Sequence, residues 1–226
     1  MEAEIGTHSS VVEDYAKAIY SLGVDGAGPV ATSRLAERLG VTPGSVSAMV
    51  RKLDELGLAT HTPYRGVSLT AEGRRVALEV IRHHRLLELF LSEILEMPWD
   101  RVHAEAEVLE HVLSSELEQT IAAKLGDPTR DPHGDPIPSA DFMIEERQTR
   151  SLNDLGAGVS GRFVRVSDSD PAMLRYLAER SISPGTRLEV LDRQPFGGPL
   201  EVRFDDGRVH TLGGELTAAM RVEVDE

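Results

Sequence analysis

Six side chains between positions 84 and 111 carry oxygen or nitrogen donors at spacings that suit a divalent cation. His103, Glu107, Glu110 and His111 stand at i, i+4, i+7 and i+8. On a helix turning about 100° per residue they share one stripe roughly 100° wide. Val102, Ala106, Leu109, Leu113 and Leu117 form an apolar stripe beside it, so the polar groups are expected at the margin of the core rather than on a free surface. Unpaired acceptors there would be costly, few cations lie nearby in the sequence, and a divalent ion relieves the cost directly. His84 and Glu88 repeat the i, i+4 pattern on the preceding stretch, and two antiparallel helices would set them opposite His103. Asp14, near the start, offers a further carboxylate. One Glu–His pair alone is usually a solvated face; the conjunction of six such residues points to metal. The donors are oxygen and nitrogen without sulfur, which suits Mn(II) or Fe(II), and also Zn(II) or Co(II).

Composition narrows the chemistry. The chain of 226 residues has no cysteine, which excludes disulfides, thiolate zinc sites and iron–sulfur clusters. HExxH is absent, and the His103–Glu105 triplet lacks the cysteine pair of a zinc deaminase. No residue set supplies a nucleophile, an oxyanion hole and an open metal site, so an enzyme is not expected. No apolar run approaches the ~20 residues that span a bilayer, and the polar N-terminus does not read as a secretory signal. A cytoplasmic protein without membrane contact is expected. The net charge is −14, which looks wrong for a nucleic-acid binder until its distribution is read. Ala31 to Arg75 carries seven Lys/Arg against four Asp/Glu, a net of +3, whereas Val76 to Gly158 carries seven against seventeen, a net of −10. That asymmetry suits a DNA-facing segment followed by a cation-binding one.

The elements that would position these residues are legible in the periodicity. Helices are expected over Val11–Gly23, Thr32–Leu39, Pro43–Leu56, Thr70–Leu95 and Asp100–Leu125, with a turn at Asp25–Pro29. Leu58–Thr62 and Val67–Leu69 read as a hairpin around Pro63–Gly66. Asp127–Pro138, with four prolines in twelve residues, reads as a loop. After it, alternation at Leu200-Val202-Phe204 and Met220-Val222-Val224, with a helix from Pro171 to about Arg180, suggests a small barrel. The expected fold is mainly α: a winged helix-turn-helix over 1–75, a helical metal-binding and dimerisation domain over 76–140, a linker over 141–158 and an SH3-like barrel over 159–226.

Helix, turn, helix and hairpin in that order from Thr32 to Leu69 make a winged helix-turn-helix. The second helix opens with small polar residues, which lets it sit deep in a major groove. Thr42, Ser45 and Ser47 can reach bases or phosphates, Arg51 and Lys52 suit the phosphate backbone, and Arg65 at the hairpin tip is the natural wing contact. Few basic residues enter the groove helix, so dimerisation is needed for affinity.

Together the stretches VEDYAKAIY, RLAERLGVTPGSVSAMVRKLDELGL, HHRLLELFL, VHAEAEVLEHVLSSELE and DPHGDPIP resemble the diphtheria-toxin-repressor family of metal-dependent regulators, and within it the manganese transport regulators. The resemblance implies a homodimeric repressor that binds palindromic operators when metal-loaded and controls metal homeostasis genes, with no organic ligand. It maps a primary metal site onto Asp14, Glu107, Glu110 and His111, and an ancillary site onto His84, Glu88 and His103. Asp170 falls near a position where the C-terminal domain lends a ligand, while Met173 stands where iron-responsive members often carry another. Iron-type members use Met and Cys where this chain has Asp14 and Glu107, and hard carboxylates favour Mn(II); Fe(II) is the alternative cofactor. Short manganese regulators carry an acidic residue where this chain has Lys17, so two separated sites are expected rather than a close metal pair.

Overall fold

Val12, Tyr15, Ala16 and Ile19 fall on one face of α1 (Ser10–Val24) and are buried. They meet Leu35 and Ala36 of α2 (Thr32–Leu39) and Val46, Val50 and Leu53 of α3 (Pro43–Glu55) in one apolar cluster. The computed structural model describes residues 8–24, 28–145 and 147–225. The expected turn at Asp25–Pro29 lies partly outside them, at positions 25–27. Gly40, at φ 64°, closes α2 through bonds from its N–H to the Ala36 and Glu37 carbonyls. It makes the tight turn into α3, a left-handed conformation that favours glycine. Thr42 caps α3 by accepting from the Ser45 N–H at 3.2 Å, with Pro43 in the first turn. β1 (Ala59–Thr62) and β2 (Gly66–Leu69) pair antiparallel as the wing, and Val30 bridges to Val67.

The chain divides into two compact units: 1–84 with 107–124 and 138–143, and 85–106 with 125–137 and 144–226. The boundary falls within α4 (Ala71–Glu93) and α5 (Val102–Leu109). The single helix expected over Asp100–Leu125 is two: α5 ends at Leu109 and α6 (Ser115–Leu125) follows a turn. Ser114 caps the restart. Its hydroxyl accepts from the Leu117 N–H at 3.3 Å, satisfying a donor that a continuous helix would have bonded internally.

In the second unit, β3 (Arg150–Ser151), β4 (Ser160–Val166), β5 (Arg187–Arg193), β6 (Leu200–Phe204), β7 (Val209–Leu212) and β8 (Met220–Val224) form one antiparallel sheet in the order β3-β8-β4-β5-β6-β7. α7 (Pro171–Ala178) and α8 (Gly214–Ala219) interrupt it. Bulges between Phe163 and Arg165 and between Val190 and Asp192 bend β4 and β5, the curvature that a small SH3-like fold needs. The linker expected over 141–158 ends early. Arg150–Ser151 pairs with β8, and Leu152 and Leu155 are buried in the barrel core. Their contribution escapes periodicity because a two-residue strand and a 3₁₀ turn carry none.

The barrel is seated on the preceding loop within this unit. The Val166 N–H donates to the His133 carbonyl at 2.9 Å, and Trp99 packs against the barrel core while its indole N–H donates to the Leu174 carbonyl at 3.2 Å. Gly134 stands at φ 90°, where an added Cβ would lie 1.9 Å from the Val164 carbonyl oxygen. No side chain fits between that loop and β4. Among the described residues, no helix is long and apolar enough to cross a membrane.

Candidate metal centres

The first centre is built by α1 and by the turn that follows α5. The turn releases Glu110 and His111 from helical direction and brings them over α1, where Glu13, Asp14 and Lys17 lie within one turn. Glu13, buried, accepts from His111 Nδ1 at 2.6 Å. That bond fixes the ring and leaves Nε2 facing Asp14 Oδ1 at 3.0 Å and Glu110 Oε1 at 3.5 Å. An imidazole held by a carboxylate behind it, with its second nitrogen aimed at two more carboxylates, is the arrangement of a ligating histidine. One donor atom each from Asp14, Glu110 and His111 lies within 4.8 Å of the others. Burial pushes the Asp14 carboxyl up; His111 pulls against it, and the Glu110 and Glu107 carboxylates push the same way as burial. The group thus concentrates negative charge that a divalent cation would neutralise.

Glu107 sits differently from the expected primary set. It groups with His84 and Glu110, and its Oε1 lies 2.7 Å from the Lys17 ammonium. The same ammonium lies 2.8 Å from both Glu110 oxygens and 3.3 Å from His84 Nδ1. His84 Nδ1 is also hydrogen-bonded to Glu110. Continuation of the helix past Leu109 would have put Glu107 and His111 on one stripe; the turn parts them.

The second centre lies wholly in the second unit. Glu88 on α4 is 1% exposed. Its Oε1 lies 3.2 Å from His103 Nδ1, and Asp168 Oδ2 approaches the same nitrogen to 2.9 Å. Its Oε2 faces His133 Nδ1 at 3.6 Å. His133 Nε2 donates to the Trp99 carbonyl at 2.8 Å, which fixes the tautomer of the neutral ring. Nδ1 is then a buried atom with no hydrogen-bond partner, its lone pair aimed at a carboxylate. A cation or a proton must stand between them. Asp131 completes a fully buried trio with Glu88 and His133, with one donor atom of each within 4.8 Å. Its Oδ1 accepts from the His133 and Asp135 N–H groups at 2.9 and 2.8 Å.

Protons hold this centre together. Hydrogen bonds to Asp168 and then Glu88 raise the His103 imidazole to about 10. Burial lowers that of His133, but the facing Glu88 carboxylate and the charge of Asp131 outweigh it, to about 9. Burial drives the Asp131 carboxyl upward, with Asp135 and Glu88 adding to the effect.

The structure corrects Asp170. Its carboxylate accepts from the Ala172 N–H at 2.8 Å and caps α7 ahead of Pro171, so it is committed to the helix end. Asp168, two residues earlier, makes the contact with His103. Glu13, Asp131, His133 and Asp168 were missed. The aspartate-proline pair at 170–171, a cap signature, could have separated Asp170 from Asp168. Nothing in the spacing marks His133, which comes from an irregular loop. His84, expected with Glu88 and His103, stands one turn before Glu88 on α4 and is grouped with them; it is also hydrogen-bonded to Glu110. Met173 is half-buried on α7.

On the reading head, Thr42, Ser45, Ser47, Arg51, Lys52 and Arg65 are all exposed. The Ser45 hydroxyl pairs with Thr42 at 3.0 Å, and that of Ser47 donates to the Pro43 carbonyl at 2.9 Å. Tyr64, fully exposed at φ 64°, forms the wing tip beside Arg65.

Three family descriptions match the chain: iron dependent repressor, N-terminal DNA binding domain, over residues 8–67; iron dependent repressor, metal binding and dimerisation domain, over 70–139; and the FeoA domain over 150–224. The iron-dependent repressor IdeR of Mycobacterium leprae is 34% identical over 235 residues, covering 93% of this chain and 96% of that protein. The diphtheria toxin repressor of Corynebacterium efficiens is 33% identical over 221 residues, covering 93% and 94%. A solved structure described as a manganese-dependent transcriptional repressor complex with manganese is 45% identical, with a TM-score of 0.89, covering 95% of this chain and all (100%) of that one. The chain belongs to the iron-dependent repressor family, which includes the diphtheria toxin repressors and consists of metal-dependent transcriptional repressors rather than enzymes.

Proposed function

We propose that this chain is a manganese-dependent repressor that binds palindromic operator DNA as a metal-loaded homodimer and controls metal-uptake genes in the cytoplasm. One observation carries the reading: Asp14 from α1 converges with Glu110 and His111 from the turn after α5, with Glu13 orienting the imidazole. Asp14, Glu110 and His111 would hold the ion at the first centre. Glu88, Asp131, His133, His103 and Asp168 would hold one at the second. A divalent cation supplies positive charge that oxygen and nitrogen donors prefer hard, as Mn(II) is. Asp14 sits on the helix whose opposite face packs under α3, so any force on its carboxylate reaches the recognition helix through a close-packed core. Glu110 and His111 belong to the scaffold side of the same unit. Val108, Leu109, Val112 and Leu117 are exposed there, an apolar surface that supports pairing with a second copy.

An iron-responsive reading rests on the curated relatives at 32–34% identity, which are named iron-dependent repressors. The manganese reading is favoured by the solved repressors at 45% and 41% identity, both named manganese-dependent. The test is capture of sheared genomic DNA from the source organism with Mn(II), with Fe(II) under matched anaerobic conditions, and with chelator, followed by sequencing. Enrichment of a palindrome with Mn(II) beyond that with Fe(II) is expected. Enrichment that survives chelation defeats the metal reading, and enrichment with Fe(II) alone replaces Mn(II) by iron.

A further inference from the structure

The break after Leu109 takes from the Glu110 carbonyl the partner that a continuing helix would supply, the N–H four residues on. His83 on α4 fills that place, its Nδ1 lying 3.0 Å from the carbonyl oxygen. A carbonyl oxygen only accepts, so Nδ1 donates. Its other nitrogen, Nε2, faces Glu118 Oε2 on α6 at 3.4 Å. Arg82, the next residue back, donates from Nε to Glu118 Oε1 at 2.5 Å and from its guanidinium to the Pro138 carbonyl at 2.6 Å. The side chains of Arg82, His83 and Glu118 are only 10%, 12% and 15% exposed, and all of these residues belong to the first unit. A buried ion pair is weak evidence of added stability, so the role of this one is sought in what it holds in place.

The carbonyl that His83 bonds belongs to the peptide joining Glu110 to His111, two of the three groups that converge on the first centre with Asp14. The peptide unit is planar, so a bond to its oxygen restrains the Cα atoms of both residues at once. We infer that His83 is a positioning residue of the first centre, orienting the Glu110–His111 peptide from which both of those side chains project. The inference rests on metal binding at Asp14, Glu110 and His111 as proposed above. Two devices then divide the work: Glu13 sets the His111 ring, and His83 sets the backbone beneath it. Glu118 comes from the helix after the turn, so the same imidazole ties both sides of the break to α4. His83 acts through Glu110 and His111 rather than on the ion, because its Nδ1 proton is committed to the carbonyl.

The test is Mn(II) binding to the full chain, followed through the electron paramagnetic resonance of the free ion, which needs no DNA. Binding that wild type shows and Asp14→Ala lacks marks the step belonging to the first centre. The amide N–H of His83→Asn stands where Nδ1 does, whereas that of His83→Gln reaches the Nε2 position. At the first-centre step His83→Leu and His83→Gln should bind about 10–100-fold more weakly than wild type, the usual effect of an outer partner, and His83→Asn should stay within about threefold. A role confined to the ion pair with Glu118 gives the reverse order, since His83→Gln can still reach that carboxylate and His83→Asn cannot. His83→Gln binding as tightly as His83→Asn, wild-type affinity in His83→Leu, or equal weakening of all three overturns the inference and leaves the metal reading standing. No difference between wild type and Asp14→Ala overturns the metal reading and the inference with it. If His83→Leu fails to fold, the order of the other two decides.

Discussion

His111 and His133 are prepared for metal by the same device used from opposite ends of the ring. Glu13 accepts from Nδ1 of His111, and the Trp99 carbonyl accepts from Nε2 of His133; the other nitrogen of each faces carboxylates. Removing a ligand and removing an orienting group should therefore differ. Asp14 is partly exposed, so Asp14→Ala should cost less than about 1 kcal/mol of stability yet abolish metal-stimulated DNA binding in a mobility-shift assay. Retained stimulation would remove Asp14 from the centre. Glu13→Gln should weaken Mn(II) binding by about 10–100-fold, the usual effect of an outer partner, without changing the number of ions bound. The second centre adds a pH dependence. His103 and His133 titrate near 10 and 9 in the folded chain, above the unfolded value of about 6.5. The stability they contribute is complete below that unfolded value and is lost as pH rises through the folded ones. Asp131, also raised, has the same sign. The chelated chain should melt lower above about pH 9 than near neutrality, and Mn(II) uptake should release protons. Titration calorimetry in two buffers of different ionisation enthalpy checks this; identical heats would contradict it.

Elements differ in how plainly the sequence announces them. The winged helix was legible because each part carries its own signal: Gly40 for the turn, Thr42 and Pro43 for the start of α3, and Val46, Val50 and Leu53 for its buried face. The barrel strands β6 and β8 were legible from alternation. What escaped was irregular backbone. The break after Leu109 hid within a pattern that reads as helix on both sides, although Ser114 and Ser115 ahead of Glu116 are an N-terminal signature. That break shapes the first centre, since the turn sets Glu110 and His111 against Asp14 of α1. Asp131 and His133 come from a loop whose prolines said only where helices cannot be. Their placement depends on a tertiary contact, the seating of β4 on the loop at Gly134. Gly134→Ala puts a Cβ against a backbone carbonyl that cannot give way, so loop and strand must separate. The single tryptophan reports on this directly, because Trp99 stacks on His133 with ring centroids 5.7 Å apart and packs on the barrel core. A red-shifted Trp99 emission and loss of one bound Mn(II) are expected. Unchanged emission would mean that the loop bears no such constraint.

For the whole molecule the problem is charge. A chain of net charge −14 must approach a polyanion, yet its reading head carries a mild excess of cations and its groove helix opens with Thr42, Ser45 and Ser47 rather than with lysine or arginine. Affinity then comes from a few placed phosphate contacts, multiplied by pairing, rather than from a broad basic surface. Metal helps twice: it is expected to fix Asp14 to the scaffold, and each divalent ion bound lowers the net negative charge by two less the number of protons it releases. Two consequences separate this from a purely geometric switch. First, the metal requirement should ease at low salt less than a simple basic binder would lead one to expect, because repulsion from the acidic scaffold strengthens there along with the phosphate contacts. Second, each phosphate contact should appear singly in the salt dependence. Arg65→Ala on the wing should weaken operator and non-operator DNA alike and lower the magnitude of the slope of log K against log salt by about 1 for each contact removed. Ser45→Ala and Ser47→Ala should instead change the preferred operator bases while leaving the slope alone. If Arg65→Ala changes base preference and not the slope, the wing reads sequence, and the division of labour between α3 and the hairpin must be reversed.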